Sequence, residues 1–329
     1  MNKAFNSAQH QLLKLFANMR MPLMAAPMFL VTGSDIVVAA ARAGLCAIYP
    51  SPNSRNIADL DQTLKVIQNQ ARNAAGPWGL NMIVHSSYDR FEAELDLIKR
   101  YRPQIVSTAL GSPRRVVDHV HEYGGAVIAD VIDVRLAQKA VDAGVDGLIL
   151  VTHGAGGHTG HLHPMAFVNE VRKFWEGPLG LAGAISSGQD ILNAQLMGAD
   201  FAVAGTRFIA THESKADQDY RQMIVDSNTE DLVLSKAVSG VMANWLKPTL
   251  QRAGLGSDQL EENQKIDFSG DISSQPKAWK HVWSAGQGLG CVHKIQSVED
   301  LVETLYAEYQ QALTQHAATI SRLQKQYSR

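Results

Sequence analysis

Residues 152–164 read THGAGGHTGHLHP and set four histidines, His153, His158, His161 and His163, among Gly154, Gly156, Gly157 and Gly160. Such density raises a metal site, but the spacings are irregular and no cysteine lies nearby. The glycines imply instead a backbone that must approach something closely, with Gly157 beside the central imidazole. His158, held in the middle of a glycine turn, suits an acid/base or hydrogen-bonding group next to a flat ligand, because imidazole exchanges protons near neutral pH. His161 and His163 read as solvated loop residues.

A second chemistry is written in two later loops. AISSGQD (184–190) offers small residues and backbone N–H groups at the start of a helix, and AGTRF (204–208) offers another Gly-Thr turn. Adjacent in space, Gly183, Ser186, Ser187, Gly188, Gly205 and Thr206 would cradle an anion such as a phosphate, since helix-start N–H groups and the helix dipole favour negative charge.

These loops need elements to hold them. From Leu23 to about Lys215 the chain repeats a short apolar run, a Gly/Asp/Ser turn and a helical pattern. The runs lie at 23–27, 45–49, 79–84, 104–108, 126–131, 147–151, 179–183 and 201–204. Asp133 before VRLAQKAVDAG and Ser187 before the helix of ILNAQLMG are capping positions, and each helix ends on glycine. Eight βα units predict an α/β protein, a (β/α)8 TIM barrel, with an open doubly wound sheet as the competing fold. In such a barrel the chemistry sits at the carboxyl ends of the strands, where His158 and both cradle loops fall. Residues 216–280 break the pattern, and 230–254 read as helix, so a smaller helical cap is expected there, inserted between barrel segments 1–215 and 281–329. Residues 298–327 predict a long amphipathic helix on the barrel's outer wall.

Composition narrows the function classes. With 329 residues, 45% hydrophobic, 19% charged, and 30 Lys+Arg against 32 Asp+Glu, the chain is neither disordered nor a polybasic nucleic-acid binder. Two cysteines, Cys46 and Cys291, build no disulfide scaffold, which favours a reducing, cytoplasmic setting. The first 22 residues lack a signal-peptide apolar core, and no run approaches the roughly 18 apolar residues of a membrane span.

The stretches APMFLVTGSDIVVAAARAGL, WGLNMIV, GAGGHTGHLHPMAFVNEVR, GAISSGQDILNAQLMGADFAVAGTRFIATHES, SGVMANWL and WSAGQGLG resemble the FMN-dependent nitronate monooxygenases, formerly 2-nitropropane dioxygenases. AGGHTG and GADFAVAGTRF carry most of the likeness. The resemblance implies a barrel that binds FMN and oxidises an alkyl nitronate or similar small molecule with O2 to a carbonyl compound and nitrite. It implies contacts from Ala26, Pro27, Met28 and Asn81 to the isoalloxazine ring. The phosphate would lie on Gly183, Ser186–Gly188, Gly205 and Thr206. His158 would be the active-site histidine, and Ser284, Gly286 and Gln287 would return towards the flavin. Met28, Met82, Trp245 and Trp283 would serve as apolar wall. A homodimer is kept open; nucleic-acid and membrane partners are not expected. The chain departs from the family pattern at Ala184, where a second glycine is common, and at Asp130, where Lys or Gln is common. FMN-dependent enoyl-ACP reductases share the AGGH loop, so an NAD(P)H-using reductase of that kind, or a quinone reductase, is the rival enzyme. A flavin-free ligand-sensing barrel is the rival outside enzymology.

Overall fold

The computed structural model describes residues 6–236, 238–253 and 282–328. The chain opens with α1 (Ser7–Ala17) and β1 (Leu23–Ala25), then alternates α2 (Ser34–Arg42), β2 (Cys46–Pro50), α3 (Ile57–Gln70), β3 (Trp78–Ile83), α4 (Phe91–Tyr101), β4 (Ile105–Ala109), α5 (Arg114–His121), β5 (Ala126–Val131), α6 (Val134–Asp142) and β6 (Gly147–Val151). A two-residue strand, β7 (Gly157–His158), precedes α7 (Pro164–Arg172), β8 (Leu179–Ala182), α8 (Gly188–Leu196) and β9 (Phe201–Ala204). Strands β1 to β6, β8 and β9 close into a parallel barrel, β1 pairing with both β2 and β9. That closure excludes the open doubly wound sheet.

The barrel's two ends differ because of α1. Its buried Leu12 and Phe16 pack with Met24, Ile48, Ile105, Ile128, Ile149 and Phe201 of the barrel interior. The Phe16 ring lies 4.2 Å from that of Phe201, at the first residue of β9. The helix thus plugs the end where strands begin, leaving the carboxyl end to be shaped by loops. A larger shell of apolar side chains joins the strands to the surrounding helices. The expected C-terminal helix is present as α12 (Val298–Tyr327), after α9 (Thr206–Ile209), α10 (Gln218–Asp226) and α11 (Lys247–Arg252). Its first half packs on α8 and α2, burying Leu301, Val302, Leu305 and Tyr309.

The helical reading of residues 230–254 is corrected. Among its described residues only Lys247–Arg252 are α-helical; β10 (Leu232–Ser235) and β11 (Ala243–Leu246) form an antiparallel hairpin. The hairpin is completed by β7, which pairs Ala243 with His158 and Asn244 with Gly157. A half-exposed Val233 faces the fully buried Trp245 across the pair, and the Trp245 indole donates to the Ser235 carbonyl at 3.1 Å. These contacts outweigh the helix-compatible spacing of the segment. The polar stretch at 258–280 lies outside the described residues. Among the described residues no helix is long and apolar enough to cross a membrane.

Candidate active site

The carboxyl end of the barrel opens into a cavity of about 430 Å³, within the range typical of small-molecule sites. Its wall includes Ala26, Pro27 and Met28 after β1, Asn81 in β3, Asp130 in β5, Gly157 and His158 in β7, Gly183 and Ser186 after β8, Gly205 and Thr206 after β9, and Ser284 and Gly286 from the returning segment. Of the four expected wall side chains, Met28 and Trp283 line it, whereas Met82 and Trp245 are buried core. Ser187, Gly188 and Gln287 lie behind the wall.

The β1 loop is shaped by a residue that the sequence reading did not single out. Asn53 donates to the carbonyls of Met28 and Thr32 at 3.0 and 2.8 Å, and accepts from the Leu30 amide at 2.8 Å. This clamp holds Leu30 at φ 61°, a left-handed conformation costly for a side chain of its kind. Two further non-glycine residues in that region, Leu110 and Ala184, themselves line the cavity. Backbone strain is therefore concentrated around the site.

His158 enters from above on β7. Its Nε2 lies 3.2 Å from the Ser239 hydroxyl, at the base of the hairpin loop, and Ser239 donates to the Val241 carbonyl at 3.1 Å. Burial lowers its pKa to about 4, so the ring is neutral at physiological pH. Asn244 of β11 secures the glycine loop, donating to the carbonyls of His153 and Ala155 at 3.0 and 2.7 Å. The loop also packs against the returning segment so closely that a Cβ on Gly156 would lie 2.7 Å from the Gly286 amide nitrogen. The other histidines do different work. His153 stacks on His163 with centroids 5.8 Å apart, while His163 accepts from the Met165 amide and caps α7. Among the described residues no group of three or more His, Cys, Asp or Glu side chains is gathered to hold a metal ion.

On the opposite wall Asn81, Ser107 and Asp130 stand on consecutive strands. Asn81 Nδ2 donates to Ser107 Oγ at 2.8 Å, and Ser107 donates to Asp130 Oδ2 at 3.4 Å. The other Asp130 oxygen, Oδ1, is buried without a hydrogen-bond partner. Burial raises the Asp130 pKa to about 7, with the Ser107 bond opposing the rise. The remaining ionisable side chain on the described wall is Tyr220, pushed up to about 12 by burial and donating to the Ser284 carbonyl at 2.5 Å.

The loop expected to cradle an anion holds hydrogen bonds of its own within the chain. The amides of Ser186 and Ser187 donate to Asp190 Oδ2 at 3.0 and 2.9 Å, and that of Gly188 to Glu308 Oε2 at 2.8 Å. The two amides leading into α8 and that of its first residue are thus met by carboxylates, one of them from α12. Beside Ser186, this end of the cavity is faced by the left-handed pair Gly183 and Ala184, with φ 129° and 57°, and by the turn at Gly205 and Thr206. Thr206 Oγ1 accepts from the Gly286 amide at 2.8 Å, which leaves its own proton to donate. A Cβ on Gly205 would come within 3.3 Å of Met28 Sδ, a tight contact that the Met28 side chain would have to shift to relieve.

Comparison with known proteins agrees with this architecture. The sequence model of the nitronate monooxygenase family matches residues 44–308. A nitronate monooxygenase of Paraburkholderia phytofirmans is 26% identical over 64% of this chain and 57% of its own length. A protein of Staphylococcus haemolyticus described as a probable nitronate monooxygenase is 24% identical over 70% of this chain and 69% of its own. The alignments span 57% and 64% of the first two curated relatives. Among solved structures, FabK from Thermotoga maritima superposes with a TM-score of 0.77 at 22% identity, covering 94% of this chain and 98% of that one. A nitroalkane oxidase from Streptomyces ansochromogenes gives 0.75 at 21%, covering 92% and 99%. At these identities the structures speak for the fold, while the match across residues 44–308 speaks for descent: the chain belongs to the nitronate monooxygenase family.

Proposed function

We propose that the protein is an FMN-dependent oxidoreductase that oxidises alkyl nitronates, or closely related small nitro compounds, with O2. The observation that carries the reading is the placement of a neutral, half-buried His158 over a largely apolar cavity at the carboxyl end of the barrel. Family membership supplies the reaction class.

The residues fit a flavin in two respects. The cavity has the size and apolar lining that a flat heteroaromatic ring requires, and the glycines at 156, 183 and 205 keep backbone close where side chains would intrude. FMN would supply the redox chemistry when bound. Ala26, Pro27, Met28 and Asn81 would hold its ring. Gly183, Gly205 and Thr206, beside Ser186, would meet its phosphate, with Ser187 and Gly188 shaping that corner from behind through Asp190 and Glu308. Gly157, Ser284, Gly286 and Gln287 close the site from the loop side, Gln287 through its amide bond to the Gly154 carbonyl at 2.9 Å.

His158 then has a defined task. As a neutral imidazole it accepts the α-proton of an uncharged nitroalkane, or a hydrogen bond oriented by Ser239, without placing a cation in the cavity. With no Lys or Arg on the described wall, the site favours a substrate whose negative charge is spread over several atoms. The test combines the absorption spectrum of the purified protein with nitronate-dependent O2 consumption, for the wild type and His158→Ala. A flavin spectrum with consumption that depends on His158 supports the reading; a protein that takes up no FMN sinks it. Rapid anaerobic bleaching by NADH would transfer the assignment to a reductase.

A further inference from the structure

Behind the β1 and β2 corner of the cavity lies a charged cluster that takes no part in the wall. Glu94, in the first turn of α4, has no solvent exposure, on a helix whose other buried residues include Phe91, Leu95 and Ile98. A carboxylate is costly there unless its oxygens are met, and both are. Oε2 accepts from the Ser51 hydroxyl at 2.7 Å, and Oε1 accepts from the Tyr88 hydroxyl at 2.7 Å and pairs with Arg90 at 3.0 Å. Arg90, the N-cap residue of α4, donates through its other terminal nitrogen to the Ser54 carbonyl at 2.7 Å. Ser51 and Ser54 are the two ends of one turn, closed by the Ser54 amide on the Ser51 carbonyl at 3.1 Å. The ion pair therefore grips both ends of that turn.

The turn in its own right holds the cavity wall. Its Asn53 fastens Met28, Leu30 and Thr32 of the β1 loop, and Pro50 and Pro52, on either side of Ser51, line the cavity together with Met28, Phe29 and Val31. Leu30 keeps a left-handed backbone against its own preference, held by Asn53, so slack in the turn passes directly to the loop.

We propose that Glu94 and Arg90 are positioning residues for the reaction. Their ion pair fixes the turn at Ser51 and Ser54, and the turn, through Asn53, fixes the β1 loop. The proposal rests on the flavin reading above, because that reading sets Ala26, Pro27 and Met28 against the ring. Glu94 lies off the wall and acts only through this series of bonds, which makes its influence separable from that of the residues that touch the ligand.

The experiment cuts the series one link at a time in the full chain. Ser51→Ala removes the first link and leaves the Glu94 pair with Arg90 and Tyr88 in place; Asn53→Ala removes the next, and the double variant removes both. In the apoprotein, amide hydrogen exchange at 28–32 should rise roughly tenfold in Ser51→Ala while that of β4 is unchanged. FMN affinity, followed by fluorescence quenching, should fall about fivefold in Ser51→Ala and further in Asn53→Ala, with a shift in the visible absorption of the bound flavin. The double variant should match Asn53→Ala, since links in series are lost only once. Glu94→Ala should resemble Ser51→Ala, and Glu94→Gln, whose amide still bonds both hydroxyls, should lie nearer the wild type. Unchanged exchange at 28–32 in Ser51→Ala, or a double variant whose loss of affinity is the product of the two single losses, overturns the proposal and leaves the flavin reading standing. Failure of every protein, folded by circular dichroism, to bind FMN removes the flavin reading, and the proposal with it.

Discussion

The two walls of the cavity reach electrical neutrality from opposite directions. On one, Asp130 sits in the barrel itself, on β5, and burial raises its pKa to about 7. On the other, His158 sits on a two-residue strand held by a hairpin, and burial lowers its pKa to about 4. Desolvation drives both groups towards their uncharged forms, one by keeping a proton and the other by losing it. The difference lies in support. Asp130 is fixed by barrel register and one neighbouring hydroxyl, whereas His158 depends on Asn244, Ser239 and a sheet assembled from distant sequence. The floor therefore tolerates changes in its surroundings better than the roof.

The largest expected effect breaks the comparison at the roof. His158→Ala should lower turnover by ~10²–10⁴-fold while flavin content stays near that of the wild type, measured by O2 uptake per bound flavin. Next comes the support beneath it. Asn244→Ala removes the donor to two carbonyls of the glycine loop and should cost about 1–3 kcal/mol in urea unfolding, with a fall in kcat/KM of roughly tenfold. If stability drops and kcat/KM does not, the hairpin is only a cover.

Stability against pH sharpens the contrast further. Asp130 has a folded pKa above its ordinary value, so its contribution is whole below the ordinary carboxylate range and is lost as pH rises through about 7. His158 has a folded pKa below its ordinary value, so its contribution is whole above about 6.5 and is lost as pH falls towards about 4. Asp130→Asn should accordingly raise the Tm of the apoprotein by about 5 °C on the alkaline side and flatten that limb, leaving the acid limb unchanged. The smallest effect is that of Ser107→Ala. Losing a bond that favours the carboxylate should move the alkaline transition upward, towards higher pH, with little change in Tm at acid pH.

The same contrast explains what could be read without a structure. The eight barrel strands declare themselves because each is a local apolar run followed by a helical pattern, and the neighbouring of β3 and β4 follows from that order. The expected positions of Asn81, His158, Gly183 and Gly205 around one cavity follow from the rule that chemistry gathers at the strands' carboxyl ends. The hairpin did not declare itself, because its completing strand, Gly157–His158, lies some 75 residues upstream and Leu234, Val238, Val241 and Trp245 are spaced as a helix would space them. The amides of α8 mislead for a related reason. Nothing near Gly188 announces that Glu308, 120 positions later, will cap it. Ser107, Ser239, Asn53 and Asn244 are ordinary polar residues in sequence, and only their partners give them roles. Asp130 alone left a trace, as an acid inside an apolar strand.

The reach of α12 across to α8 has a consequence for how this protein is made. Tyr309 and Glu308 pack so tightly on Gly188 that the corner behind the cavity is finished by residues 120 positions further along the chain. β1, near the beginning, likewise waits for β9 before the ring can close. As the polypeptide leaves the ribosome, early βα units can form and pack, but the ring cannot close before β9 is made, nor the corner of the pocket be finished before α12 is. Nascent chains therefore carry an open edge at β1 until β9 arrives, and the finished pocket waits for α12.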